Sequence, residues 1–284
     1  MTLTNEFLSV ISDFFEYIKM DFALRALVAG LLLSVCTALL GVCLVPKRYA
    51  MIGDGLSHVG FGALAVASAL GAAPLAVALP VVIIASFILL KLKENGKIKG
   101  DSAIAMLSAG ALAVGVMIVS LTGSNTDLNG YMFGSILSVT KSDFIASVIL
   151  FPIIIVVFIL FYAQIFSFSY DERFARASGM NTGVYNALMS VLVAVTVVMG
   201  MRLMGTLLIS ALVIFPAISA MRIFKSFFAC VVASSVISVI SFLLGMFLSF
   251  AFSAPIGASI VLCNVFSFLI CSAVRLILRK KSRA

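Results

Sequence analysis

Apolar runs long enough to cross a bilayer, about 20 residues each, follow one another along almost the whole chain, and short polar stretches rich in glycine, proline and charge separate them. Hydropathy and this punctuation predict nine membrane-spanning helices, at 22–45, 50–72, 74–92, 101–122, 142–166, 182–200, 203–223, 226–249 and 254–277. Segment 127–138 is apolar but too short to cross, and is expected to form a re-entrant or surface helix. Before the first run, Phe7, Leu8, Ile11, Phe14, Phe15 and Ile18 recur at roughly helical spacing among Glu6, Asp13, Glu16 and Asp21. Residues 1–21 are therefore expected to lie along the outer membrane interface. They lack a basic start, so no cleavable signal peptide is expected. The fold class that follows is all-α and polytopic: an interfacial segment 1–21, a transmembrane domain 22–277 and a basic cytoplasmic tail 278–284.

Composition agrees with the pattern. Hydrophobic residues make up 63% of the 284 and charged residues 11%, against roughly 25% charged in a soluble domain. The net charge of +8 does not form a nucleic-acid patch, because the basic residues fall between apolar runs and at the C-terminus. They act as topology signals instead. With the N-terminus outside, the inner side receives Lys47, Arg48, Lys91, Lys93, Lys97, Lys99, Arg173, Arg176, Arg222, Lys225, Arg275, Arg279, Lys280, Lys281 and Arg283. Only Lys19, Arg25, Lys141 and Arg202 remain outside or near the outer boundary. This asymmetry predicts an external N-terminus and a cytoplasmic C-terminus, as nine crossings require. Cys36, Cys43, Cys230, Cys263 and Cys271 all lie inside apolar runs, without a Cys-x-x-Cys pair or a neighbouring histidine, and are expected to be inert core thiols.

Gly53-Asp54-Gly55-Leu56-Ser57-His58 places the chain's only histidine and a carboxylate inside an apolar, membrane-length stretch. An ionisable group at that depth is costly and usually faces a bundle interior or a water-filled route. On a helix, Asp54, Ser57 and His58 share one face. A carboxylate oxygen and an imidazole nitrogen suit a borderline divalent ion such as zinc or manganese better than an organic substrate. As single residues, Asp54 would serve equally as a helix cap and His58 as a hydrogen-bonded core histidine. The small residues at 53, 55, 60, 62 and 63 allow close helix approach. Residues 92–101 read as an ordinary basic cytoplasmic turn. Residues 171–181 differ: an acidic start, Phe174 on one face, late arginines and Gly179 as a stop predict a short polar helix on the basic side. It has the character of a docking surface, and a solvated connector would share its composition. Pro216, inside the seventh predicted span, is expected to break or kink that helix.

These segments resemble the permeases of ABC importers for zinc, manganese and iron, the group fed by cluster A-I metal-binding lipoproteins. The resemblance rests on Gly53–His58 after the basic Pro46-Lys47-Arg48-Tyr49, and on Phe133-Gly134-Ser135-Ile136-Leu137. It also rests on Asp171–Gly179 and on Gly205–Leu212 followed by Pro216-Ala217. It implies that 22–277 is a permease domain in a bacterial cell membrane. It further implies that Asp54 and His58, with Ser57, form a transient metal site, and that Asp171, Glu172, Arg173, Phe174, Ala175, Arg176 and Gly179 belong to a cytoplasmic coupling helix. The implied partners are cytoplasmic ATPase subunits, an extracytoplasmic metal-binding protein and a second copy of the chain, with no nucleic acid. No permanently bound cofactor is implied; the cargo is a divalent metal, zinc favoured over manganese.

The chain has no Gly-x-x-x-x-Gly-Lys-Ser/Thr loop, so hydrolysis of ATP falls to a separate subunit and the chain itself is read as a transport subunit rather than an enzyme. One histidine excludes a His-Glu-x-x-His hydrolase, and Asp54 has no second intramembrane aspartate to form a dyad. The alternative is an ion-coupled secondary metal transporter, which would usually show inverted repeats and several intramembrane charges. Only Asp54 and His58 are read as lying clearly within a span, and no repeat is evident.

Overall fold

The computed structural model describes residues 12–47, 49–94, 100–122 and 140–281. Among the described residues from Asp21 onward, eleven helices follow in order: α1 (Asp21–Leu44), α2 (Ile52–Ala69), α3 (Pro74–Glu94), α4 (Gly100–Thr122), α5 (Lys141–Leu160), α6 (Tyr162–Tyr170), α7 (Glu172–Ala177), α8 (Thr182–Met204), α9 (Thr206–Ile223), α10 (Phe227–Phe252) and α11 (Ile256–Lys281). Seven of them, α1, α3, α4, α5, α8, α10 and α11, are long and apolar enough to cross a membrane. The other two predicted spans correspond to α2 and α9, which are shorter or more polar and sit against the centre of the bundle. Helices α1 and α8 are the most deeply buried of the long helices, whereas α4 and α11 leave most of their apolar surface outward, as a lipid-facing helix must.

Small residues explain which helices touch. A side chain at Gly62 would meet the Ala111 carbonyl oxygen of α4 at 2.7 Å, and one at Gly55 would run into Ile104 of the same helix. These glycines let α2 lie directly on α4. Gly41 of α1 abuts the Val213 carbonyl of α9, and Gly245 of α10 abuts the Ile260 backbone of α11. Between α1 and α10 the seam is hydroxylic: Ser238 Oγ donates to Ser34 O at 2.9 Å and Ser234 Oγ to Ala38 O at 3.4 Å. Where apolar surface contributes little because lipid is equally apolar, such close approaches and hydroxyl bonds hold helices together.

Several boundaries differ from expectation for local reasons. The predicted span 142–166 is interrupted at Phe161 (φ −101°, ψ 20°), which ends α5 and begins α6. Pro216 lies inside an uninterrupted α9, so it does not break the helix. The break falls instead at Gly205, a single-residue link between α8 and α9 with φ +85°, a conformation favoured only for glycine. Helix α11 runs on through Lys281, so most of the expected tail is a helix end. Near the N-terminus, residues 12–18 are helical, and Phe14 and Tyr17 pack on Phe250 of α10. All five cysteines are free and buried. The expected short helix at 127–138, the Phe133–Leu137 motif, Arg48 and residues 1–11 lie outside the described residues.

Candidate functional site

Helix α2 opens without a side-chain cap: Met51 is its N-cap residue and makes no such bond. Asp54 therefore does not cap the helix, and its carboxylate turns sideways. His58 Nε2 stands 3.7 Å from Asp54 Oδ1, and the two side chains are 20% and 35% exposed. From α9, Ser210 Oγ donates a long 3.5 Å hydrogen bond to the same Asp54 oxygen. Ser57 is fully buried, and its hydroxyl donates to the Asp54 carbonyl oxygen at 2.7 Å. The structure thus brings Asp54 and His58 together, adds Ser210, and turns Ser57 back onto the backbone. Ser210 lies within the Gly205–Leu212 motif, but its pairing with a residue 156 positions away has no local signal.

Two donors bound to one tetrahedral cation at about 2.0–2.2 Å stand roughly 3.3–3.6 Å apart. The Asp54–His58 gap needs to close by only a few tenths of an ångström to fit. Among the described residues no group of three or more His, Cys, Asp or Glu side chains is assembled.

At the other predicted region, Asp171 caps α7: its Oδ1 accepts from Phe174 N at 2.9 Å. Gly179 ends the segment with φ +83°, as its role as a stop requires. Phe174 is 65% exposed while Ala175 is buried, and Arg173 is exposed. Arg176 reaches Glu172 Oε1 at 3.4 Å and Thr182 Oγ1, at the start of α8, at 3.2 Å. A short helix held down by Ala175 and presenting an aromatic ring outward fits an anchor awaiting a pocket.

A third charged constellation was missed. Asp143, only 2% exposed, pairs with Arg202 Nη2 at 3.0 Å and accepts from Thr140 Oγ1 at 2.7 Å. The Thr140-x-x-Asp143 spacing announces a helix start, but nothing along the chain joins it to Arg202, which had been counted as an outer boundary charge.

The model of the ABC 3 transport family matches residues 19–275. The chain belongs to that family. It is 30% identical over 268 residues to the "Manganese import system permease protein ScaB" of Streptococcus gordonii, covering 94% of each. It is 28% identical over 246 residues to the "High-affinity zinc uptake system membrane protein ZnuB" of Haemophilus influenzae, covering 86% of this chain and 94% of that one. Among solved structures, "PsaBC from Streptococcus pneumoniae in complex with Fab" superposes with a TM-score of 0.82 at 30% identity, over 92% of this chain and 95% of that one. This ABC 3 protein is a multi-pass protein of the bacterial cell membrane.

Proposed function

We propose that this chain is the membrane permease of an ATP-driven divalent-metal importer, working as a pair of identical copies with zinc favoured over manganese as cargo. The observation that carries the reading is the Asp54–His58 pair, 3.7 Å apart and partly exposed on an otherwise apolar helix. Such a pair does not face lipid; it faces a water-filled path or a second copy. Two copies would supply two carboxylates and two imidazoles, enough for a complete shell that can still be dismantled, as a transport site must be. Manganese and zinc permeases both stand among the relatives, and oxygen and nitrogen donors serve either ion. An extracytoplasmic binding protein would deliver the ion, and cytoplasmic ATPase subunits would hydrolyse ATP.

Uptake of labelled zinc and manganese into a transport-deficient cell supplied with the permease and its ATPase tests the cargo. Faster zinc uptake at equal free concentration is expected; equal or faster manganese uptake would reassign it. Mass measurement of the purified complex should show two permease chains, because each contributes one coupling helix. Phe174→Ala should weaken ATPase docking by about 2 kcal/mol or more, as loss of a buried aromatic anchor does, and should leave metal binding unchanged. Unaltered copurification of the ATPase would remove α7 from the interface.

A further inference from the structure

Residues 45–47 and 49–51 lie between α1 and the candidate metal helix α2, and Lys47 among them reaches the coupling helix. As a marker of the cytoplasmic boundary alone, Lys47 would extend into water. In the fold its side chain is only 11% exposed and its Nζ stands 3.8 Å from Glu172 Oε2 of α7. The same ammonium lies over the Phe168 ring of α6, 2.7 Å from the centroid. Glu172 in turn holds Arg176, and Arg176 holds Thr182. Among the described residues, the charged groups meeting here are Lys47, Glu172 and Arg176.

Beyond Lys47, backbone hydrogen bonds tie the residues that lead into α2. Tyr49 N donates to Leu44 O at 3.0 Å, Ile52 N to Tyr49 O at 3.1 Å and Gly55 N to Met51 O at 3.1 Å. Tyr49 is buried. Because α2 has no side-chain cap of its own, the position of its first turn is set by this linked turn, and Asp54 sits in that first turn.

We infer that Lys47 is a positioning residue through which the coupling helix acts on the metal site: its ion pair with Glu172 makes a displacement of α7 drag the first turn of α2, and so alters the spacing of Asp54 and His58. This rests on the importer reading. It names the physical element that both sites bias, which a coupling claim requires.

The test uses the purified permease–ATPase complex in proteoliposomes, reading ATP hydrolysed per zinc ion imported beside ATPase copurification and zinc binding. Lys47→Gln should copurify with the ATPase and bind zinc, yet raise the ATP-per-ion ratio by about fivefold or more, the lower end of typical coupling between sites. Lys47→Arg should keep the ratio near that of the unaltered complex. Lys47→Met keeps the aliphatic stem on Phe168 and should uncouple as fully as Lys47→Gln, which separates charge from packing. The exchange Lys47→Glu with Glu172→Lys should restore coupling that either reversal alone destroys. An unchanged ratio in Lys47→Gln or Lys47→Met, or an exchange no better than its single reversals, overturns the inference. A complex of the unaltered chain that hydrolyses ATP without importing metal would instead sink the importer reading itself.

Discussion

Two of the acid–base pairs among the described residues, Asp143–Arg202 and Asp54–His58, are built to opposite specifications. Asp143 and Arg202 meet at 3.0 Å with the carboxylate nearly sealed from solvent; Thr140 donates to the same carboxylate, and Ser147 Oγ donates to the Asp143 carbonyl at 2.6 Å. Asp54 and His58 stand 3.7 Å apart, both partly exposed, with one long bond from Ser210. The first pair satisfies itself and ties the start of α5 to the end of α8. The second leaves donor atoms unspent. A closed pair contributes rigidity, whereas an open one fits the transient metal site proposed for it.

Truncation should separate the two most sharply in transport. Asp54→Ala and His58→Ala should each lower metal uptake at least about 100-fold, beyond what losing an outer-shell partner of a metal ligand usually costs. Their effect on the thermal midpoint should be small. Uptake near the unaltered rate in both variants would leave the pair a packing feature.

For the closed pair the expected loss is in stability. Arg202→Met or Asp143→Ala alone strands a buried charge and should cost about 3–5 kcal/mol, seen as a lower midpoint of the detergent-solubilised protein. Asp143→Leu combined with Arg202→Met should recover most of it, since apolar replacement of a whole buried pair is often neutral. A double variant as unstable as the singles would mean that the charges do more than clamp helices.

Smaller effects sharpen the contrast. Ser210→Ala should weaken zinc binding roughly fivefold, the worth of a hydrogen bond of about 1 kcal/mol. Ser57→Ala should leave it within about twofold, because that hydroxyl serves only the local backbone. Calorimetric titration of the purified complex distinguishes them. A larger loss from Ser57 than from Ser210 would reverse the assignment of which hydroxyl attends the site.

Much of the open site was legible along the chain. Asp54 and His58 are four residues apart, so helical geometry alone brings them onto one face. Helix α7, the proposed coupling helix, was equally local: acidic start, aromatic, arginines and glycine stop all lie within nine residues. Pro216 does not break α9, since a lost donor is tolerated where neighbouring helices and local adjustments satisfy the freed carbonyl, while Gly205, quoted only as part of a motif, carries the positive φ that makes the break. Ser210, Arg202 and Lys47 could not be read. Each acts on a partner 59 to 156 residues distant, and no periodicity links such pairs.

Hydrophobic run length and short-range spacing thus determined by themselves that this is an all-helical membrane protein with an intramembrane acid–imidazole pair and a short polar helix between spans. These features depend on bilayer thickness and on the 3.6-residue turn, which operate within a single segment. Only the tertiary structure decided that Asp143 closes on Arg202, that Ser210 attends Asp54, and that Lys47 leans on Glu172 rather than on water. Those choices depend on which helix lies beside which, and that is set by glycine and serine contacts between segments far apart in the chain.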